Sequence, residues 1–232
     1  MARTRYDAVI FDLFGTLIDF LPDEDYELAV SQVADILSVP FDDFKRVWSA
    51  SRNTRDLGTF GSVEGDLRNA LDTLGLPIPP DKVAQAAKIR LDLYWRNLEP
   101  RAGAVETLAA LRALGLKTGL ITVCAPELHQ LWSGSALSPL MDAAVFSCIE
   151  GLTKPDPEIY LTACRRLQVT PERCLYVGDG GYRELAGAQV VGMHPVMIER
   201  GCKGSVGARF GDIEEWSGDY ISELPEILTL VQ

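Results

Sequence analysis

The stretch VIFDLFGTLID, residues 9–19, contains most of the first predicted strand and raises the functional question. Its first residues are β-branched or aromatic, and with the residues just before them they predict a short strand at Tyr6–Phe11. The strand ends on Asp12, which enters a turn. Two residues further on, where a second carboxylate would complete an acid–base pair, stands Phe14. The sequence thus presents a lone aspartate at a strand end beside an aromatic ring.

Beyond this stretch, short apolar strands alternate with helices, which indicates a parallel sheet with helices on both faces. The later predicted strands are Lys117–Thr122, Ala144–Ser147, Cys174–Val177 and His194–Ile198, with a weaker one at Tyr220–Ile221. The predicted intervening helices are Gly103–Leu114, Pro157–Leu167 and Gly181–Val191. The expected fold class is α/β, with a Rossmann-like parallel-sheet core.

A run of amphipathic helices separates the first predicted strand from the second. Tyr26, Val30, Val33 and Leu37 fall on one helical face, and a further helix is predicted from Pro80 to about Asn97. We therefore expect an inserted all-α domain. The predicted boundaries are residues 1–18 and 99–232 for the α/β core and 19–98 for the helical insert.

Charge and composition narrow the class of partner. The 232 residues carry a formal net charge of −11, which argues against binding nucleic acid or an anionic membrane surface. An anionic substrate would be repelled at long range, so a metal ion or a lysine must reverse the sign locally. The five cysteines lack metal-site or redox spacing, and no apolar run approaches a membrane span. We expect a cytoplasmic monomer or homodimer that acts on a small molecule.

Four polar residues stand at or just after the ends of four successive predicted strands. They are Asp12, Thr122, Lys154 and Asp179. In open parallel sheets the ligand crevice lies at the carboxyl ends of the strands, so we expect these side chains to meet there.

Their chemistry is mutually consistent. The Asp12 carboxylate can serve as a nucleophile. Asp179 adds a second hard oxygen ligand, which suits Mg²⁺. Lys154 and a metal together would offset the charge of a phosphate, and the hydroxyl of Thr122 can donate to a phosphoryl oxygen. The turn after Asp12 can donate backbone N–H groups, and Gly15 helps that turn to form.

Four motifs in this order resemble those of the haloacid dehalogenase superfamily of hydrolases. They are DLFGT (12–16), the threonine at position 122, KPDPEIY (154–160) and GDGGYRE (178–184). The resemblance covers the α/β core, and the helical insert stands where many members of the superfamily carry a helical cap. It is specific to the superfamily and not to a substrate.

The resemblance implies roles for particular residues. Asp12 would be the nucleophile, and Thr122 and Lys154 would hold the transferring phosphoryl group. Mg²⁺ would be bound by Asp12, by the backbone carbonyl of Phe14, and by the side chains of Asp179 and Glu184. Phe14, Gly15 and Thr16 would contribute to substrate binding.

Phe14 departs from the pattern of the superfamily's phosphatases, which generally carry a second aspartate there to protonate the leaving group. Loss of such an acid typically costs ~10²–10⁴-fold in rate. Three functions stay open. The first is a Mg²⁺-dependent phosphatase acting on a small phosphorylated metabolite through an aspartyl-phosphate at Asp12. The second is a 2-haloacid dehalogenase, since halide leaves without a proton and an aromatic residue is typical there. The third is a non-catalytic protein that binds a phosphorylated metabolite or a partner.

The retained Gly178-Asp179 pair and Glu184 favour the phosphatase over the dehalogenase. In the insert, Arg52 and Arg55 are candidates for contacting an anionic group, although surface charge is the simpler interpretation of both.

Overall fold

The computed structural model describes residues 5–77, 79–199 and 213–232. Within these ranges a six-stranded sheet has the order β3-β2-β1-β4-β5-β6, and every neighbouring pair is parallel. The strands are β1 (Ala8–Phe11), β2 (Lys117–Thr122), β3 (Ala143–Phe146), β4 (Cys174–Gly178), β5 (His194–Ile198) and β6 (Asp219–Ile221). The predicted α/β class and Rossmann-like core are confirmed.

Helices cover both faces of the sheet, and β1 shows why. Val9 and Phe11 pack into one hydrophobic cluster, whereas Ala8 and Ile10 pack into another. Successive side chains of a strand point to opposite faces, so a strand that is apolar throughout must be covered on both.

The described helices fall into two groups. Those between β1 and β2 are α1 (Asp23–Leu37), α2 (Phe41–Ala50), α3 (Arg52–Asp56), α4 (Val63–Thr73), α5 (Pro80–Arg96) and α6 (Ala104–Ala113). Those after β2 are α7 (Pro126–Leu131), α8 (Ser147–Glu150), α9 (Pro157–Leu167), α10 (Glu184–Val190) and α11 (Ile227–Leu230). None of the described helices combines the length and the apolar content needed to cross a bilayer.

Helices α1 to α5 follow β1, and four of them, α1, α2, α4 and α5, share a hydrophobic core of their own, which runs from Val30 to Ala87 and contains the buried rings of Phe44 and Trp48. We call these five helices the helical insert. Its core contains no residue of the sheet, because the apolar faces of these short amphipathic helices bury one another. This arrangement is consistent with the inserted all-α unit expected from the sequence, whose exact boundaries stay a prediction.

The structure corrects the prediction at one functional loop. A single helix was predicted over Gly181–Val191, but residues 181–183 form a 3₁₀ turn and α10 begins at Glu184. Tyr182 and Arg183 have φ of 55° and 54°, which an α-helix does not accommodate. Of the five cysteines in the sequence, Cys202 lies outside the described residues.

The strand order reverses at β1. The chain passes from β1 to β2 and β3 on one side, and then to β4, β5 and β6 on the other. The carboxyl ends of β1, β2 and β4 therefore lie side by side at the switch point, where open α/β sheets bind ligands.

Candidate active site

The turn after β1 holds Asp12 against the neighbouring strand. The Asp12 N–H donates to the carbonyl of Val177 in β4 at 2.9 Å, which continues the parallel ladder by one residue. Gly15 has φ of +84°, and a Cβ there would lie 2.6 Å from the Phe20 ring and closer still to Oδ2 of Asp179. A glycine is therefore required, both for the left-handed conformation and for the close approach of Asp179.

Lys154 reaches the site from the loop between α8 and α9. Asp156 caps α9 by accepting the Glu158 N–H at 2.9 Å, and this cap fixes the end of the loop. The buried Nζ of Lys154 lies 2.5 Å from Oδ1 of Asp12 and 2.6 Å from Oε2 of Glu184. The lysine therefore joins the first motif to the fourth.

Glu184 is buried, and both of its carboxylate oxygens accept hydrogen bonds. Its Oε2 accepts from the hydroxyl of Tyr176 at 2.8 Å, and its Oε1 accepts from the N–H of Gly180 at 3.0 Å. A Cβ at Gly178 would collide with the same carboxylate. The glycine that ends β4 thus makes room for Glu184.

The three buried carboxylates form a set that suits a divalent cation. Asp12, Asp179 and Glu184 each present an oxygen within 4.8 Å of the other two. Hard carboxylate oxygens are the ligands that Mg²⁺ takes in proteins, usually together with water. The donor set therefore fits the expected metal.

Burial and mutual charge shift the pKa values of this cluster. Burial, helped by the charge of Glu184, raises the pKa of Asp12 to about 6, although Lys154 opposes the shift. Burial and Asp179 raise the pKa of Glu184 to about 7 against the same lysine. Burial alone would lower the pKa of Lys154, but Asp12 and Glu184 outweigh it and raise that pKa. The lysine is therefore a permanent cation.

The other predicted site residues lie at the same edge of the sheet. Thr122 is buried at the end of β2, the strand next to β1. Thr16 is buried, and no described group pairs with its Oγ1. The N–H of Gly15 donates to Ile18 and that of Thr16 to Leu13, so both amides are used inside the turn. Substrate binding by Gly15 and Thr16 stays a prediction.

Phe14 points toward the helical insert. Its ring is half-buried and meets the ring of Tyr94 edge to face, with centroids 6.4 Å apart. Both rings line a cavity of about 40 Å³, together with Arg52, Arg55, Arg90 and Cys124. The aromatic ring at the second position of the motif thus forms one wall of a space shared by core and insert.

Interpreting Arg55 as a surface charge was wrong, and Arg52 is partly buried. Arg55 is buried and lies over the ring of Trp48, with its Cζ 3.9 Å from the centroid. Arg52 donates to the hydroxyl of Tyr182 in the fourth-motif turn at 3.3 Å and pairs with Asp56 at 3.5 Å.

Sequence reasoning missed Arg90. It is buried on α5 and pairs with the buried Glu127 of α7 at 3.0 Å. A signal was present, because Arg90 interrupts the apolar face formed by Val83, Ala87 and Leu93. A charge on such a face must be paired when buried, which marks it for attention.

Comparison with known proteins agrees with this geometry. The model of the haloacid dehalogenase-like hydrolase family matches residues 6–192. The glyceraldehyde 3-phosphate phosphatase of Methanopyrus kandleri is 33% identical over 154 residues, which cover 66% of this chain and 63% of that protein. The N-acetylmuramic acid 6-phosphate phosphatase of Pseudomonas aeruginosa is 31% identical over 192 residues, 77% of this chain and 76% of that protein.

Among solved structures, a 2-haloacid dehalogenase from Pseudomonas syringae superposes with a TM-score of 0.68 at 22% identity and covers 97% of each chain. This likeness shows the fold alone. The family model spans most of the chain, and the motif residues of the chain meet at the carboxyl ends of the strands. The protein therefore belongs to the haloacid dehalogenase-like hydrolases.

Proposed function

We propose that the protein is a Mg²⁺-dependent phosphatase that acts on a small phosphorylated metabolite. The observation that carries the proposal is the contact of Lys154 with Asp12 and Glu184, beside Asp179. A permanent cation among buried carboxylates is what an anionic nucleophile needs if it is to approach an anionic phosphoryl group. The phosphatase relatives are consistent with it.

In this proposal the Asp12 carboxylate attacks phosphorus, and the ester oxygen leaves with the bonding electron pair. Water then hydrolyses the aspartyl phosphate and regenerates Asp12. Lys154 holds a phosphoryl oxygen and orients Asp12, and the Thr122 hydroxyl donates to another. When Mg²⁺ is bound by Asp12, Asp179, Glu184 and the Phe14 carbonyl, it supplies further positive charge against the phosphate.

Phe14 limits which esters react well. Its ring has no proton to give, so a strongly basic alkoxide leaves without help from this position. Acyl phosphates, aryl phosphates and anhydrides need less protonation and are the better substrates in this proposal. The helical insert serves as the cap, which excludes water and selects the substrate.

A 2-haloacid dehalogenase is the second candidate, and Phe14 is the observation that favours it. Displacement of halide by Asp12 requires no acid. The buried cluster of Asp12, Asp179 and Glu184 favours the phosphatase, because displacement of halide needs no metal site.

One panel of reactions tests both candidates. Aryl phosphates, acyl phosphates, alkyl phosphates and 2-haloacids are incubated with the protein, with Mg²⁺ or with a chelator. We expect turnover of aryl and acyl phosphates that requires Mg²⁺ and is abolished by Asp12→Asn, with circular dichroism unchanged. Release of halide from a 2-haloacid in the presence of the chelator would show that the protein is a dehalogenase and not a phosphatase. Phosphatase activity retained in Asp12→Asn would exclude the aspartyl-phosphate route.

A further inference from the structure

The guanidinium of Arg90 is buried and only partly satisfied. Its Nε donates to Oε1 of Glu127 at 3.0 Å, but no described group accepts from Nη1 or Nη2. The group lies among aromatic rings, with its Cζ 5.0 Å from the centroid of Tyr26, 5.1 Å from that of Trp48 and 5.5 Å from that of Tyr94. Leaving such donors unpaired is costly, so they indicate a ligand.

The cavity that Arg90 lines is rich in positive charge. Arg52 and Arg55 line it as well, and Asp56 is the one carboxylate among the described residues of the wall. Glu127 and Asp66 do not line the cavity, but Glu127 interacts electrostatically with Arg90, and Asp66 with Arg55 and Arg90. The wall therefore carries three guanidinium groups against one carboxylate, in a protein with a net charge of −11.

The nearby carboxylates also limit the charge of the ligand. Asp56 in the wall and Glu127 on Arg90 offset two of the three guanidinium charges, so about one positive charge is left, which a carboxylate neutralises and a dianionic phosphate exceeds. A carboxylate carries one charge, is planar and matches the fork of a guanidinium, so that it can accept from Nη1 and Nη2. A cavity of about 40 Å³ holds a few waters or one such group.

The cavity adjoins the reacting end of the sheet. Phe14 and Cys124, which line it, stand two residues after Asp12 and Thr122 respectively. The cavity therefore lies beside the strand ends that carry Asp12 and Thr122.

We propose that the cavity beneath the helical insert binds the carboxylate of the substrate, and that the substrate class is small phosphorylated carboxylic acids. The geometry that carries this is the pair of unpartnered Arg90 donors in a wall that contains Arg52 and Arg55. The substrate class rests on the proposed phosphatase function, whereas binding of the carboxylate does not.

The test separates binding from turnover. Calorimetry with the Asp12→Asn protein compares 3-phosphoglycerate with glycerol 3-phosphate, which differ only in a carboxylate replaced by a hydroxymethyl group. We expect the carboxylate to tighten binding by about 10- to 100-fold, the range of a charge-assisted hydrogen bond. A third ligand, 1,3-propanediol bisphosphate, distinguishes a carboxylate from a second phosphate and should bind no better than glycerol 3-phosphate.

Variants assign the preference to the arginines. Arg90→Gln with Glu127→Gln removes both charges of the pair together. We expect this double variant to bind 3-phosphoglycerate and glycerol 3-phosphate with about equal affinity. Arg55→Lys keeps the positive charge but loses the planar guanidinium, so the preference for 3-phosphoglycerate should fall in part. This variant provides the test if the double variant does not fold. Arg68→Gln, on the exposed face of α4, is the matched control and should keep the full preference.

The outcomes are distinct for the two proposals. Equal binding of 3-phosphoglycerate and glycerol 3-phosphate would overturn the carboxylate site, whether or not the enzyme hydrolyses phosphates. Tighter binding of the bisphosphate would overturn the assignment to a carboxylate. A carboxylate preference in a wild-type protein that hydrolyses no phosphate ester would support the site and reject the phosphatase.

Discussion

The buried charges of the site depend on one another residue by residue. Asp12 and Glu184 are both removed from water; the charge of Glu184 raises the pKa of Asp12, and the charge of Asp179 raises that of Glu184. Lys154 contacts both, so one buried cation offsets two anions. Tyr176 and the Gly180 N–H supply further donors to Glu184. A buried carboxylate is tolerated only with such partners, which is why these residues occur together.

Phe14→Asp tests the role of the missing acid. The new carboxyl group would stand where a proton donor can reach the leaving oxygen. We expect kcat/KM for alkyl phosphates to rise at least ~10-fold more than for aryl phosphates, because only the poorer leaving group needs the proton. Steady-state rates for the two classes provide the measurement, with Phe14→Asn as the control that has no acid. Equal gains for both classes would show that protonation is not what limits the enzyme.

Asp66→Asn tests a buried carboxyl group of the insert. Burial, together with the charge of Glu127, raises the pKa of Asp66 to about 7, although Arg55 and Arg90 oppose the shift. No described group pairs with either of its oxygens. Between about pH 4 and pH 7 the folded protein therefore keeps a proton that the unfolded chain has lost, and the free energy of unfolding falls as pH rises.

The amide of Asn does not titrate, so the variant escapes this loss. We expect Asp66→Asn to be more stable than wild type by on the order of 2 kcal/mol at about pH 8, with the difference gone near pH 4. Urea unfolding across this range measures it, with the exposed Asp72→Asn of the same helix as control. A difference that does not change with pH would show that Asp66 is ionised normally.

At the scale of elements, the turn between β4 and α10 departs from regular structure. Gly180, Tyr182 and Arg183 all have positive φ within four residues. The first turn of α10 also lacks a cap from its own N-cap residue. Glu214, from beyond β5, accepts from the N–H groups of Leu185 and Ala186 at 2.6 and 3.1 Å. A distant side chain thus completes the helix that carries Glu184.

Arg183→Gly tests the strain in this turn. Left-handed backbone costs an L-residue about 1 kcal/mol, and glycine avoids that cost. Arg183 is exposed, so Arg183→Ala removes the same side chain without relieving the backbone. We expect the Gly variant to be about 1 kcal/mol more stable than the Ala variant in chemical denaturation. An Ala variant as stable as the Gly variant would mean that the turn is unstrained or rearranges.

At the scale of the whole molecule, buried polar contacts join the helical insert to the core. Arg90 of α5 pairs with Glu127 of α7, and the hydroxyl of Ser147 donates to the carbonyl of Asp56 at 2.6 Å. Gly58 packs so closely on the backbone of Cys148 that a Cβ there would collide with it. These contacts fix how the insert lies over the strand ends and therefore shape the cavity above Phe14.

Glu127→Gln tests the buried ion pair between Arg90 and Glu127. The change leaves the guanidinium of Arg90 buried without its counter-charge, so we expect a loss of about 3 kcal/mol in the free energy of unfolding. Adding Arg90→Gln removes the stranded charge and should restore part of that loss. Urea unfolding of the two variants measures the difference. Equal stability of the single and double variants would show that leaving Arg90 without its counter-charge costs nothing.

Sequence patterns alone predict the α/β class, the order of the strands along the chain and the polar residues that end them. Strand periodicity and turn chemistry are local, so short windows such as residues 9–19 contain them. The tertiary structure decided which of these groups touch. Lys154 and Asp12 stand 142 residues apart in sequence, and Arg90 and Glu127 stand 37 apart. Their contacts, and the burial of Glu184 and Arg55, follow from how the sheet orders its strands and how the insert packs over them, which no local pattern encodes.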